Sequence, residues 1–331
     1  MGCRWQGSPR RVWCHGSRGR LGRALRGSEK LRLATIAISG ATGYIGSRVA
    51  REAVARGHTV VCIGRRAISG FEHRPFDLRR PEAVDLAGVS ALVHLAHDFA
   101  ATGKQIKDVN VSGSLVLLKA GVAAGAYPIL LSSLSAFEGC RSSYGQTKLQ
   151  LEALWAAEGG TSLRAGVVFG HRAGGIFGAL CRAVERLPAV PVPVPAGTPM
   201  YTSYDVVLAE ALVDAAVGRT GSRWPRALAA DPVSIGFLAL LRHIATAIGR
   251  TPAFVRVPGG AVLWALKSAE RVGLAVPFRS DSMLSIANPA PADQVARLPT
   301  LDKAFPPIAD ALWVGAGVID PALTGTGGDA E

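Results

Sequence analysis

Short runs of β-branched and aliphatic residues alternate along the first half of the chain with longer stretches in which apolar positions recur every three or four residues. The first run, LATIAIS at 33–39, leads into SGATGYIG and then an apolar-periodic segment from Ile45 to Ala55. That succession predicts strand, turn and helix. TVVCIG at 59–64 follows a helix stop at Gly57, and ALVHLA at 91–96 and PILLSS at 128–133 repeat the theme. Helical periodicity near 81–87 and 104–124 separates them. Apolar strands alternating with helices imply a doubly wound α/β fold, with a parallel sheet covered on both faces.

The second half is less regular. LPAVPVPVPAG at 187–197 reads as a surface loop or extended connector, because its prolines lack the N–H that a central strand needs. Amphipathic helices are expected at 205–217, 234–248 and 261–272.

Charge changes the picture less than its total suggests. The 331 residues hold 37 Lys and Arg against 24 Asp and Glu, a net +13 that would invite a polyanionic partner. Residues 1–32 alone carry eight Arg and Lys30 against Glu29, a net +8, which leaves +5 for everything after them. The excess therefore belongs to a basic N-terminal extension, read as disordered, and no nucleic-acid partner is expected. A transit peptide is the alternative reading of that extension. No stretch reaches the ~20 apolar residues of a membrane span, so no membrane partner is expected either. Five scattered cysteines without a CxxC pair argue against a disulfide framework or a metal site and fit a reducing cytoplasm, with the mitochondrion as the alternative.

Two motifs carry chemistry. In SGATGYIG, Gly40, Gly43 and Gly46 stand between a strand and a helix start, where glycines allow a tight turn and let backbone amides approach a pyrophosphate. The cofactor-binding set expected from this turn is Gly40, Thr42, Gly43, Tyr44, Ile45 and Gly46. Arg65 and Arg66 follow the second strand where an acid would select NAD, so NADP is favoured, with NAD as the alternative. Asp77 and Leu78, after the next strand, are assigned to the adenine edge. In SSLSAFEGCRSSYGQTK, Tyr144 and Lys148 are four apart on one helical face, and a neighbouring ammonium lowers the pKa of a phenol.

The chain resembles the extended or atypical short-chain dehydrogenase/reductases, the NAD-dependent epimerase/dehydratase family, over roughly residues 33–310. The resemblance rests on GATGYIG, VHLAH at 93–97, Asn110 in NVSG, SSLSAF, YGQTK and LRAGVVFG at 163–170. It implies a Rossmann-type domain at 33–169 and, at 170–323, mainly a smaller C-terminal substrate-binding lobe. About 200–217 would return to the first domain, and 324–331 would be a frayed tail. Tyr144 would be the acid/base, Lys148 the ribose-binding and tuning residue, and Ser133 the hydroxyl on the reacting oxygen, with Ser132 and Ser135 as competitors. Asn110 would support a proton relay, and Leu95 and Ala96 would line the cofactor.

The sequence also departs from the family pattern. Ala165 and Phe169 replace the usual proline and tyrosine, His97 replaces an alanine, and the 11-residue spacing from Ser133 to Tyr144 is short. His97 reads as packed or solvent-facing, with a cofactor or substrate contact as the alternative. Arg279 and Asp281 read as a structural pair, with a substrate contact as the alternative, and Phe177, Trp264 and Phe278 as an apolar lining or as core.

The leading expectation is an NADP(H)-dependent oxidoreductase on a secondary alcohol or ketone. The alternatives are a nucleotide-sugar epimerase or dehydratase with retained cofactor and a non-catalytic NAD(P)-sensing regulator. The expected partner is a small-molecule substrate, and the protein a monomer or homodimer.

Overall fold

The computed structural model describes residues 33–101, 105–171, 173–218, 224–274, 276 and 278–310. The basic extension at 1–32 and the tail at 324–331 lie outside the described residues.

The first half runs β1 (Thr35–Ser39), α1 (Tyr44–Ala55), β2 (Thr59–Gly64), β3 (Glu72–Pro75), β4 (Ala91–His94), α2 (Gln105–Ala123), β5 (Tyr127–Ser133), α3 (Ser143–Ala157) and β6 (Thr161–Ala165). The second half adds β7 (Val167–Phe169), α4 (Gly175–Arg186), β8 (Ala189–Val192), β9 (Pro199–Met200), β10 (Thr202–Tyr204), α5 (Asp205–Ala216), β11 (Arg226–Ala229), β12 (Ile235–Gly236), α6 (Phe237–Ala247), β13 (Ala253–Arg256), α7 (Gly259–Arg271), α8 (Ser280–Ala287) and α9 (Ala292–Ala296).

Seven strands form one parallel sheet in the order β11-β6-β5-β4-β1-β2-β3. This is a Rossmann-like α/β fold. The apolar runs read from the sequence are its strands, buried on both faces because helices cover both. On one face Val49, Ala50 and Ala53 of α1 and Leu208 to Ala216 of α5 pack on Ile36, Ile38, Ala91, Val93 and Ile129. On the other, Leu117 of α2 packs on Ala37, Val61 and Ile63, while Leu118 of α2 with Leu151 and Trp155 of α3 covers Leu130. Residues 207–217 thus share the core of the first domain, whereas Met200 and Tyr204 pack into the second core.

The sequence expectation fails in two places. Residues 81–87 are not helical: Leu86 is buried against the sheet, but Pro81 starts a stretch too short to propagate a helix, and Asp85 spends its carboxylate on the amide of Ala87. The proline-rich connector holds strand β8, which pairs in parallel with β13, Pro191 standing opposite Val255. A two-stranded sheet is all edge, so a proline costs it no central hydrogen bond.

The remaining residues form a second core in which Phe177, Leu180 and Val184 of α4 meet Leu240, Leu241 and Ile244 of α6 and Met283 and Ile286 of α8. Phe177 belongs to this core and Phe278 packs against it. Trp264 does not belong to an apolar lining: it is 72% exposed on α7, a helix without a fully buried residue. Among the described residues no helix is long and apolar enough to cross a membrane, and no group of three or more His, Cys, Asp or Glu could hold a metal ion.

Candidate active site

Strand order sets the location. β1 lies between β2 and β4, so the connections leaving their carboxyl ends run to opposite sides and open a crevice there, the position in which open α/β sheets bind ligands. Gly40 begins the loop at the end of β1 with a left-handed φ of +74°, and a Cβ on it would stand 2.9 Å from the amide nitrogen of Ala96. A Cβ on Gly46 would overlap the carbonyl oxygen of Gly40. The chain therefore needs glycine at both positions to fold helix α1 tightly onto the strand ends. No side chain caps α1 and no acid stands in its first turn, leaving its amino-terminal amides for an anion. This cradle, bare of side chains, fits a dinucleotide pyrophosphate.

Arg65 and Arg66 follow β2 directly and are exposed, Asp77 and Leu78 follow β3, and Leu95 and Ala96 follow β4. The Ser39 hydroxyl accepts the amides of Leu95 (3.1 Å) and Ala96 (3.3 Å), pinning that wall of the crevice. Ser39 is itself bonded at 2.7 Å to His94, whose other ring nitrogen meets Ser114 at 2.8 Å. Full burial holds His94 well below its usual pKa, so it is a neutral bracket between sheet and α2. Asp77 accepts the amide of Arg79 at 3.0 Å, and Leu78 packs where Gly113 lets α2 approach. Thr42 and Ile45 sit in the glycine turn and the first turn of α1. Tyr44 turns its phenol to Asp205, where Arg48 also stands at 2.6 Å. That hydroxyl latches α1 to α5.

Ser133, Tyr144 and Lys148 converge at the carboxyl ends of β5 and the start of α3. The Ser133 hydroxyl stands at the Tyr144 phenol and accepts the amide of Ser135 at 3.1 Å, whereas the Ser132 hydroxyl is spent on Glu152 at 2.5 Å. Lys148 is buried, donates to the carbonyl of Leu131 at 2.9 Å, and lies 5.8 Å from the Tyr144 ring centroid. Its ammonium does not depress the phenol as its spacing suggested. Burial dominates and pushes Tyr144 up to about 12, with the Ser133 hydrogen bond pulling it back. Burial also brings Lys148 down to about 8 against the opposing pull of the Glu152 carboxylate one turn on.

Asn110 is held by three hydrogen bonds to backbone. Its amide donates to the carbonyls of Asp98 (3.2 Å) and Ile106 (2.8 Å), and its oxygen accepts the amide of Asp98 at 2.7 Å. It fixes the loop after β4.

Residues 36–187 match the family model described as NAD dependent epimerase/dehydratase family. That segment is a domain of this family. No curated protein is significantly similar to the chain. The fold is shared with solved structures of low sequence identity. UDP-N-acetylglucosamine 4-epimerase from Bacillus cereus is 16% identical, with a TM-score of 0.56 over 77% of this chain and 98% of that one. MoeE5 in complex with UDP-glucuronic acid and NAD is 20% identical, with a TM-score of 0.63 over 86% and 98%. Epimerase Mth375 from Methanothermobacter thermautotrophicus is 13% identical, with a TM-score of 0.61 over 88% and 96%.

The epimerase/dehydratase domain is completed by residues that sequence spacing could not supply. Asp281, on α8 of the lobe, accepts the amides of Ser143 (2.7 Å) and Tyr144 (3.0 Å), while Ser142 accepts that of Gly145 at 3.1 Å. The lobe thus holds the start of the catalytic helix. Arg279 does not pair with Asp281; it donates to the carbonyl of Phe99. His97 and Phe99 stand against the Tyr144 ring, with centroids 5.0 Å and 5.8 Å away. Glu152 is fully buried between Arg164 (2.7 Å) and Arg226 (2.9 Å) behind Lys148. A GxxGxxG turn and a YxxxK spacing are local signals. These partners lie up to 180 residues from the groups they serve.

Proposed function

We propose that the protein is an NADP(H)-dependent oxidoreductase acting on a ketone or secondary alcohol. The carrying observation is the hydrogen-bonded Ser133–Tyr144 pair above buried Lys148, on the same sheet edge as the Gly40–Gly46 cradle. A nicotinamide cofactor, when bound, supplies or accepts the hydride.

The amides at the start of α1 hold its pyrophosphate, and Arg65 and Arg66 favour the form with a 2′-phosphate. Ser133 donates a hydrogen bond to the substrate oxygen. Tyr144 gives its proton to that oxygen as charge develops there, and recovers one in the reverse direction. Lys148, charged below about pH 8 and 5.8 Å from the Tyr144 ring centroid, binds the ribose of the cofactor.

A second reading, a nucleotide-sugar epimerase or dehydratase with retained cofactor, is favoured by the family match and by the solved structures sharing the fold. It uses the same tyrosine without net cofactor turnover.

Three measurements test these readings. Reduced-cofactor absorbance, followed with a panel of ketones, falls steadily if the first reading holds and is unchanged under the second. Tyr144→Phe is expected to lower turnover by about 10²- to 10⁴-fold with the fold intact. Full activity in that variant would remove Tyr144 from the mechanism. Direct titration is expected to show tighter binding of NADPH than of NADH, and the reverse order would refute the role given to the two arginines.

A further inference from the structure

The loop after β4 carries two side chains that the proposed chemistry leaves without a task. Its neighbours are accounted for: Asp98 takes Arg79 on its carboxylate along with the amides of Ala100 (2.8 Å) and Ala101 (3.3 Å), and Asn110 grips its backbone. His97 and Phe99 make no such structural bond through their side chains. The His97 ring stands edge-on to Tyr144 at 5.0 Å and to Phe99 at 4.6 Å. Phe99 lies nearly parallel to Tyr144, at 23° and 5.8 Å, yet remains 59% exposed. An aromatic side chain that covers a catalytic phenol on one side and meets solvent on the other leaves an apolar surface beside the reacting group.

His97 adds a polar point to that surface. Its Nδ1 is buried and has no hydrogen-bond partner among the described residues. Leaving such an atom unpaired costs its full desolvation, and a ligand oxygen would supply the missing partner. Burial, with Lys148 and Arg279 adding to it and Asp98 opposing, keeps the imidazole neutral. A neutral ring recognises a hydroxyl or carbonyl rather than a phosphate. Of the two cations that bear on His97, Lys148 donates to the carbonyl of Leu131 and Arg279 to that of Phe99.

We infer that His97 and Phe99 form the substrate-selecting wall of the Tyr144 site, and that the wall fits a flat, uncharged aryl carbonyl compound in preference to a nucleotide sugar. Phe99 takes the aryl ring, and His97 hydrogen-bonds an oxygen of the same ligand. This assignment rests on the oxidoreductase reading for the identity of the site and deepens it by naming a substrate class.

The test is equilibrium binding of acetophenone, cyclohexyl methyl ketone and UDP-glucose to the full chain loaded with NADP⁺. A ketone and an oxidised cofactor cannot react, so affinity is read whether or not turnover is found. Acetophenone is expected to bind more tightly than its cyclohexyl analogue and than UDP-glucose. Phe99→Ala should weaken acetophenone about tenfold, ~1.4 kcal/mol, and the cyclohexyl ketone by less than about threefold. His97→Ala should weaken both ketones alike. Phe99→Leu and His97→Gln, which keep bulk and a polar atom respectively, should retain part of the affinity.

Tighter binding of UDP-glucose, absence of acetophenone binding, or variants within about twofold of the unmodified protein would each overturn the assignment. Ketone turnover without aryl selectivity would sink the wall and leave the oxidoreductase reading standing. Selective binding without turnover under any condition would do the opposite.

Discussion

The sheet domain and the lobe that follows it solve the same problem with different means. In the first, strands are continuous apolar runs buried on both faces, and each candidate catalytic or cofactor-facing group sits at a strand end or a helix start fixed by that core. In the second, one cluster holds α4, α6 and α8 together, strands pair only two by two, and α7 buries no residue completely. The sheet domain places the reaction, whereas the lobe reaches it through single contacts such as Asp281 on α3 and Arg279 on Phe99. Rigid placement needs many mutually supporting contacts, and selection among substrates needs only a few that face the ligand.

The sharpest challenge to that contrast lies behind the site. Glu152→Ala would strand Arg164 as an uncompensated buried charge, and unfolding experiments are expected to show a loss of about 3–5 kcal/mol. A loss below 1 kcal/mol would mean that the sheet domain does not depend on its buried ion pairs.

Next in size is Lys148→Met, which is expected to remove activity while raising stability at neutral pH by on the order of 1–3 kcal/mol. The sign follows from its depressed pKa. Between about 8 and 10.5 the unfolded chain holds this proton and the folded chain does not, so the stability of the unmodified protein rises with pH across that window. The advantage of methionine should therefore be full below pH 8 and fade as the pH approaches 10.5. Thermal midpoints of the two proteins at several pH values would show it.

Asp281→Ala tests the lobe's hold on the catalytic helix. Loss of a carboxylate on two helix-start amides should cost about 1 kcal/mol of stability. It should also lower kcat more than it raises KM, since Tyr144 is displaced rather than a binding surface removed. The smallest effect is expected at Trp264→Ser on α7, within about 0.5 kcal/mol by denaturant titration, because the side chain is already in solvent. A large loss there would show that the lobe is held by more than its core cluster.

What could be read along the chain was what a local pattern specifies. Helix α5 is at Asp205–Ala216 where periodicity placed 205–217, and the glycine turn and the YxxxK pair lie at the strand ends expected of them. Residues 81–87 failed because a short apolar period is satisfied equally well by an irregular segment lying on a sheet. β8 escaped because pairing with β13, more than 60 residues away, is invisible to a rule about prolines in central strands.

The sequence by itself determined the parallel sheet and the anion cradle and set Tyr144 one helical turn from Lys148, since each depends on residue type at short spacing. Only tertiary structure decided the rest. It spent the Ser132 hydroxyl on Glu152, left Ser133 beside Tyr144, and turned Asn110 to the loop at Asp98. It also raised the Tyr144 pKa through burial and set Asp281 on α3 and Phe99 on Tyr144. Burial and long-range hydrogen bonding are properties of the packed chain, and no local pattern encodes which distant group will arrive.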